Sequence, residues 1–356
     1  MTHRGTKRGP RGSAGQLRRG LLCLAALSLG VAALSACDNQ PRVQLELVSR
    51  VPTDGPATAV AWDPSRGVVF VGAGDTVAVF AETSPGQWES HPDGEVTLPG
   101  APTAIEPAQE LLYVGLDGGL YAIDAERSVA ASYSGPFAVQ GLQAQGENVY
   151  AVLDWHEGVY QCGLHVLSAS ELAKVGAIDE PVAIGFVCTP ETVFNDVAIA
   201  LLNAYVVGDS VCGEQYARAF LGTVDLSQPD RPQARGKVEL PYLPANAVAL
   251  ADDYAYVAGT GLYVIDVSDP DAPRQVTRWP TPRELVDVVL SPPFVYVCDV
   301  SGRVLAIDVS NPAAPRAASA WFDTGFAGHG LQANGTHLFL ANGEGGLAVL
   351  RATVAP

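Results

Sequence analysis

Two closely similar segments, 42 residues apart, constrain the fold of this chain more than any other feature. Gly261 to Pro273 reads GLYVIDVSDPDAP, and Arg303 to Pro315 reads RVLAIDVSNPAAP. Each segment follows a short run of aromatic and β-branched residues and leads into another alternating run. Short β-prone runs separated by turn residues indicate strands, and their recurrence indicates a repeated unit of strands and turns.

One aromatic residue in each unit marks the repeat along the chain. The marks are Phe70, Tyr113, Tyr150, Tyr205, Tyr256, Tyr296 and Phe339. Apolar and polar residues alternate around each mark, and the 37 Gly and 26 Pro supply the turns that short strands need. Seven units of about 45 residues have the size of four-stranded blades. We therefore predict an all-β fold, a seven-bladed β-propeller.

The two ends of the chain predict how this ring closes. The seventh unit stops after its third strand, near Thr353. The segment that begins at Pro41 is similar to the fourth-strand openings at Pro273 and Pro315. We expect the N-terminal strand to complete the last blade, because a closed ring leaves fewer exposed strand edges.

The GLYVIDVSDPDAP pattern resembles the LVIVD repeat of exported bacterial and archaeal proteins. The resemblance is strong over residues 245–326 and weaker in earlier units. In the later units an aspartate, such as Asp266 or Asp308, ends the third strand, whereas Ser168 stands at this position in an earlier unit. We interpret this repeated aspartate as a turn-forming residue. The resemblance implies a propeller with a surface role and supplies no active site.

The N-terminus predicts export and a lipid anchor. A basic segment precedes an apolar run of 14 residues, which is shorter than the roughly 20 residues that span a bilayer. The run ends in LSAC, which resembles the lipobox of bacterial lipoproteins, where the cysteine carries the lipid. We predict a signal peptide over residues 1–36, palmitate-type lipidation at Cys37, a tether over 37–40 and one propeller domain over 41–356.

The signal peptide and the lipidation at Cys37 predict a lipoprotein of the bacterial cell envelope. Cys37 would anchor it to a membrane, and it would face the periplasm or the cell surface. Inner and outer membrane remain open. The net charge of −17 opposes binding to phosphate backbones, so we expect no nucleic-acid partner. Export also favours a disulfide, and the candidates are Cys162, Cys188 and Cys212, with the pairing left open. Their spacing lacks the close pairs of a zinc site.

The starts of the inner strands suggest a binding site, because the inner strands of a propeller line its channel. Five polar residues share this position ten residues before a mark: Thr103, Gln140, Asn195, Asn246 and His329. We expect them to surround one channel mouth, which would hold a small polar ligand or only water. A single histidine cannot hold zinc, so we predict no metal and no other cofactor.

Units three and four carry extra residues, and these predict contact loops. Trp155, His156 and Tyr216 lie in this extra sequence. Aromatic side chains on surface loops supply binding area, although an insertion without a partner would look the same.

The chain contains no nucleophile elbow, H-E-x-x-H motif, Walker loop or dinucleotide glycine pattern, so we predict no catalytic residue. The leading hypothesis is an envelope scaffold that binds an envelope protein or a small polar ligand. One alternative is a propeller enzyme of the hydrolase or lactonase type that uses the channel mouth. A second is an assembly factor for envelope proteins.

Overall fold

The computed structural model describes residues 42–91, 94–155, 162–179, 191–212 and 216–355. Arg42–Pro356 is one compact unit. The predicted signal peptide, Cys37 and the tether lie outside the described residues. Within the described ranges, no helix is long and apolar enough to span a bilayer.

The strands of the described residues pair antiparallel, and they form six sheets arranged as the blades of a β-propeller. The first sheet contains β2 (Ala57–Asp63), β3 (Val68–Ala73), β4 (Thr76–Ser84), β5 (Gln87–Ser90) and β6 (Val96–Thr97). The second contains β7 (Pro102–Ala108), β8 (Leu111–Ile123), β9 (Val129–Gln145), β10 (Asn148–Trp155), β11 (Cys162–Ser168) and β12 (Lys174–Ile178). The third contains β13 (Glu191–Ala200), β14 (Asn203–Cys212), β15 (Tyr216–Asp225) and β16 (Gln233–Leu240).

The other three sheets follow the same order from inner to outer strand. The fourth contains β17 (Ala245–Ala251), β18 (Tyr254–Gly259), β19 (Gly261–Asp266) and β20 (Arg274–Pro280). The fifth contains β21 (Leu285–Ser291), β22 (Phe294–Asp299), β23 (Arg303–Asp308), β24 (Arg316–Ala317) and β25 (Phe322–Asp323). The sixth contains β26 (Gly330–Ala333), β27 (His337–Ala341), β28 (Leu347–Ala355) and β1 (Arg42–Val51).

The prediction of seven blades is wrong, because the described strands form six sheets. The second and third sequence units share one six-stranded sheet, so the marks Tyr113 and Tyr150 lie in the same sheet. The cause is β9, which pairs with β8 from Val129 to Ala138 and with β10 from Phe137 to Gln145. A strand that continues through the boundary between two units joins them into one hydrogen-bonded sheet.

The aromatic marks form the core between sheets. All seven are at most 5% exposed. Tyr205 packs with Val257 of the next sheet, and Tyr256 packs with Val288 of the sheet after that. Burial of such large apolar side chains between sheets is the main source of stability in this fold.

The ring closes as the chain ends predict. β1 pairs antiparallel with β28 from Arg42 opposite Ala355 to Val51 opposite Leu347. On the other side of the same sheet, Trp62 of the first sheet stacks on Phe339, with ring centroids 5.4 Å apart. The N-terminal strand therefore completes the last sheet.

The repeated aspartates form turns, as interpreted from the sequence. Asp266 Oδ1 accepts hydrogen bonds from the backbone nitrogen of Ser268 at 3.0 Å and from its hydroxyl at 2.6 Å. Asp308 binds Ser310 in the same way. These turns lie on what we call the distal face, where first strands turn into second strands and third into fourth. The opposite side, where inner strands begin, is the mouth face.

Candidate functional site

A β-bulge lies at the mouth end of six inner strands and builds the channel mouth. In β9 the inner strand is the part from Phe137 to Gln145, which pairs with β10. The pairing of inner and second strands shifts by one residue at the same place in successive repeats. The extra residues are Thr58, Thr103, Gln140, Asn195, Asn246 and Val286. A bulge leaves its extra residue out of the ladder and redirects its side chain.

The structure brings all five predicted mouth residues to one cavity of about 200 Å³. They are Thr103, Gln140, Asn195, Asn246 and His329. The cavity also contains Thr58, which the ten-residue spacing missed. The turn between β2 and β3 joins Asp63 to Val68 and is longer than the turn that joins Ala251 to Tyr254. That longer turn displaces the first bulge from the position that the spacing predicts.

Several of these side chains link neighbouring inner strands. Thr58 Oγ1 donates to the carbonyl of Pro102 at 2.7 Å, and Thr103 Oγ1 donates to that of Val139 at 2.5 Å. Each acceptor directly precedes the next bulge.

The same link recurs further around the ring. Asn195 Nδ2 donates to the Ala245 carbonyl and Asn246 Nδ2 to the Leu285 carbonyl, both at 2.8 Å. The polar side chains at these positions therefore have a structural role, and ligand binding at the mouth stays a prediction.

Three carboxylates that were not among the predicted mouth residues line the same cavity. Glu106, Asp196 and Asp287 accept backbone N–H bonds from the following inner strand. Their donors are Ala144 at 3.1 Å, Val248 at 2.9 Å and Leu331 at 2.6 Å, respectively. An acid one or three residues after the bulge is the sequence signal that could have identified them.

Burial in the channel raises the pKa values of these carboxyls. The pKa of Glu106 rises from 4.5 to about 7, and those of Asp196 and Asp287 rise from 3.8 to about 7. For Asp196, the negative charges of Asp287 and Glu106 add to the effect of burial. Near neutral pH these groups can therefore hold protons. Across the described ranges, no group of three or more His, Cys, Asp or Glu is placed to hold a metal ion.

The predicted contact loops are only partly within the described residues. Trp155 ends β10 and Tyr216 begins β15, directly opposite Cys212, so both positions lie on the mouth face. His156 lies outside the described residues. The part played by these loops stays a prediction.

Among the cysteines, Cys162 is a fully buried free thiol at the start of β11. Burial raises the pKa of this thiol to about 12. Cys188 lies outside the described residues, and the side chain of Cys212 is not described. Cys162 is unpaired in this structure, and a disulfide between Cys188 and Cys212 stays a prediction.

Two exposed aromatic side chains on the mouth face each lie against an arginine. Tyr242, between β16 and β17, is 53% exposed, and the Arg278 guanidinium lies 4.7 Å from its ring centroid. Phe326, between β25 and β26, is 43% exposed, and the Arg50 guanidinium lies 5.0 Å from its ring centroid. We call these the aromatic–arginine pairs.

The two pairs occupy equivalent places in the fold. In each, the aromatic residue lies on the connection into an inner strand, and the arginine lies on the outer strand of the same sheet. The arginines are held by loop carbonyls: Arg50 Nη2 donates to Thr324 at 2.6 Å, and Arg278 Nη2 donates to Thr260. The sequence does not reveal either pair, because the members of each pair are far apart in the chain.

Comparison with known families identifies the repeat. Residues 244–281 and 282–320 match the LVIVD repeat. No curated protein matches the sequence.

Solved structures share the fold at low sequence identity. The WD40 domain of Neurospora crassa Pan2 has a TM-score of 0.66 at 10% identity, covering 88% of this chain and 96% of that one. BamB from Moraxella catarrhalis has a TM-score of 0.59 at 13% identity, covering 86% and 100%. A chain of the mitotic checkpoint complex has a TM-score of 0.65 at 12% identity, covering 88% and 94%. At these identities the likeness shows the fold alone.

Proposed function

We propose that this β-propeller with LVIVD repeats is a lipid-anchored scaffold of the bacterial cell envelope that binds a protein partner on its mouth face. The observation that carries the proposal is the presence of two equivalent aromatic–arginine pairs there, Tyr242 with Arg278 and Phe326 with Arg50.

The chemistry of the pairs favours a protein partner. Aromatic residues and arginine are enriched at protein interfaces and supply a large share of binding free energy. The cation–π contacts and the loop carbonyls already restrict the arginines, so less side-chain entropy is lost on binding. Exposed aromatic rings also gain from removal of their surface from water.

The charge of the chain indicates which kind of protein surface would bind beside these arginines. The chain carries a net charge of −17, so two arginines beside exposed rings form a local contrast to an acidic protein. A partner surface with apolar side chains next to Asp or Glu would complement both members of each pair. The fold that this chain shares with a chain of the mitotic checkpoint complex is compatible with a scaffold role.

In the proposed arrangement the lipid anchor leaves the mouth face accessible. The outer strand β1 begins at Arg42 on the distal face, and residues 38–41 between it and the predicted lipidated Cys37 reach at most about 14 Å when fully extended. The distal side of the sixth sheet would then lie near the membrane, and the aromatic–arginine pairs would point toward periplasmic or surface partners.

The alternatives have less to support them. The enzyme alternative needs a catalytic group at the channel mouth. The carboxylates of Glu106, Asp196 and Asp287 accept backbone N–H bonds from neighbouring strands there. Two of the mouth amides, Asn195 and Asn246, donate to backbone carbonyls. An envelope assembly factor would be one particular case of the scaffold, and no described contact selects it.

Affinity capture of the natively lipidated protein tests this proposal. We expect a protein that copurifies with the wild type to be lost from the double variant Tyr242→Ala/Phe326→Ala. The matched control is Leu201→Ala/Val129→Ala, which removes exposed apolar side chains, 84% and 52% exposed, from the distal face. Equal capture by both variants would contradict the proposal, and so would loss from the control alone.

A further inference from the structure

A cavity of about 310 Å³ lies between the first and second sheets and opens on the distal face, away from the aromatic–arginine pairs. Its walls are buried apolar side chains of both sheets. They are Val68, Phe70, Val77, Val79, Val96, Leu112 and Ile123. This volume falls at the lower end of the range of small-molecule pockets, about 300 to 1,000 Å³.

The rim of this cavity carries two guanidinium groups and one carboxylate, that of Asp124. Arg66, on the turn after β2, and Arg127, on the turn after β8, contribute guanidinium groups, and His91 lies beside them. Arg66 Nε lies 3.4 Å from Asp63 Oδ2, and Arg127 Nη1 donates to the Gly94 carbonyl at 2.5 Å. A guanidinium has five N–H donors, so each arginine has more donors than these contacts use.

The cavity exists because one loop of the repeat is short here. In the third sheet, the loop S-Q-P-D-R-P approaches Gly176 of the preceding sheet so closely that an added Cβ would lie 2.3 Å from the Pro229 carbonyl oxygen. In the fourth sheet, the loop S-D-P-D-A-P fills the equivalent space against Gly236, where an added Cβ would lie 2.5 Å from the Pro270 carbonyl oxygen. The corresponding turn of the second sheet, Asp124 to Ser128, is shorter and contains no proline. It leaves the space between the sheets unfilled.

The short turn also holds Arg127 in an uncommon backbone conformation. Its φ is +65°, in the left-handed region that residues other than glycine seldom adopt. Two backbone hydrogen bonds fix the turn: Asp124 N donates to Ser128 O at 3.0 Å, and Arg127 N donates to Asp124 O at 3.1 Å.

We propose that this cavity binds a small monocarboxylate with an apolar aryl or alkyl body. The apolar body would make the van der Waals contacts that the valine and phenylalanine side chains of the walls lack beside the unfilled space. The carboxylate would accept charge-assisted hydrogen bonds from Arg127 and Arg66. Asp124 on the same rim opposes a second negative charge on the ligand, so a monoanion fits better than a dianion.

Titration of the full-length protein with 4-phenylbutyrate and 4-phenylbutanol, followed by ligand-observed NMR, tests the proposal. We expect the carboxylate to bind at least tenfold more tightly than the alcohol, which has the same apolar body. Arg66→Gln/Arg127→Gln should remove this preference. Val79→Phe, which fills the cavity, should abolish binding of both probes.

The matched control is Arg231→Gln, an exposed arginine on the corresponding loop of the third sheet, and it should leave binding unchanged. Thermal unfolding of every variant shows whether it is folded. Equal affinity for the carboxylate and the alcohol, binding that persists in Val79→Phe, or absence of binding to the folded wild type would overturn the proposal. Binding only to vesicles of anionic phospholipid would also overturn it, since a membrane surface would then be the ligand. These outcomes are independent of partner capture by the mouth face.

Discussion

The side-chain amide of Asn195 donates a hydrogen bond of 2.8 Å to the main-chain carbonyl of Ala245 in the next sheet. The second donor contact of the same amide is to Asp209 at 3.1 Å. The first contact makes Asn195 a link between the inner strands β13 and β17 at the mouth, and the second joins it to β14 of its own sheet. The polar ring that the sequence predicts therefore contributes to the stability of the propeller.

Removal of this link should destabilise the protein. Asn195→Ala leaves the Ala245 carbonyl without its donor, and we expect a loss of about 1–3 kcal/mol in the free energy of unfolding. Urea denaturation measures it. Gln44→Ala on the exposed side of β1 is the control and should change stability by less than about 0.5 kcal/mol. Equal stability of the two variants would contradict the structural role.

The raised pKa values of the channel carboxyls predict that the stability of the protein falls as pH rises. The pKa of Glu106 is about 7 in the folded state against an ordinary 4.5, so between these values the folded protein binds more protons than the unfolded chain. The unfolding free energy should therefore decrease from pH 5 to pH 8. Asp196 and Asp287 act in the same direction.

Glu106→Gln tests this dependence, because an amide oxygen can still accept the N–H bond of Ala144. Gln143 already does so at the corresponding position of the next inner strand, where it accepts from Ile199 N at 2.5 Å. We expect the variant to be more stable than the wild type at pH 8, by up to about 3 kcal/mol, and to show a weaker pH dependence. A variant that is less stable at pH 8 would show that the carboxylate is favourable there.

Ring closure depends on the contact between Phe339 and Trp62. Phe339 is fully buried and lies between Trp62 and Trp88, with ring centroids at 5.4 and 4.9 Å. Phe339→Ala should cost about 3–5 kcal/mol, and Phe339→Leu should cost clearly less. Thermal unfolding distinguishes the two. If both variants melt at the wild-type temperature, the contact does not hold the ring closed.

The state of the cysteines can be read by alkylation. Cys162 and Cys298 are buried free thiols with raised pKa values, so iodoacetamide should leave them unmodified in the folded protein. A disulfide between Cys188 and Cys212 would protect both from alkylation after unfolding until a reductant is added. Mass spectrometry of the peptides reports each site. Alkylation of Cys212 in the unfolded, unreduced protein would exclude that disulfide.

The sequence predicts the burial of the aromatic marks and the position of the channel mouth, because both follow from regular spacing in strands. The blade count failed at β9. There Gly135-Pro136 reads as a turn signal, yet the strand continues through it and joins two units. Thr58 does not lie ten residues before its aromatic mark, because the hairpin between β2 and β3 is longer than the one between β17 and β18.

Contacts between distant segments could not be predicted at all. The pairing of Phe326 with Arg50 depends on the N-terminal strand closing the ring, so it appears only once the tertiary structure is formed. The cavity under Arg127 likewise reflects a turn that is shorter than its equivalents, and this difference matters only once the packing of the other repeats is known.

Site-specific photo-crosslinking in intact cells tests the proposed binding face most directly. A photoreactive amino acid at position 242 or 326 should capture the same partner protein, and one at position 201 on the distal face should not. Addition of Arg50→Ala and Arg278→Ala should reduce the crosslink at both mouth positions at unchanged protein levels. Crosslinks that arise only from position 201, or none from 242 and 326, would contradict the assignment of the mouth face as the partner-binding surface.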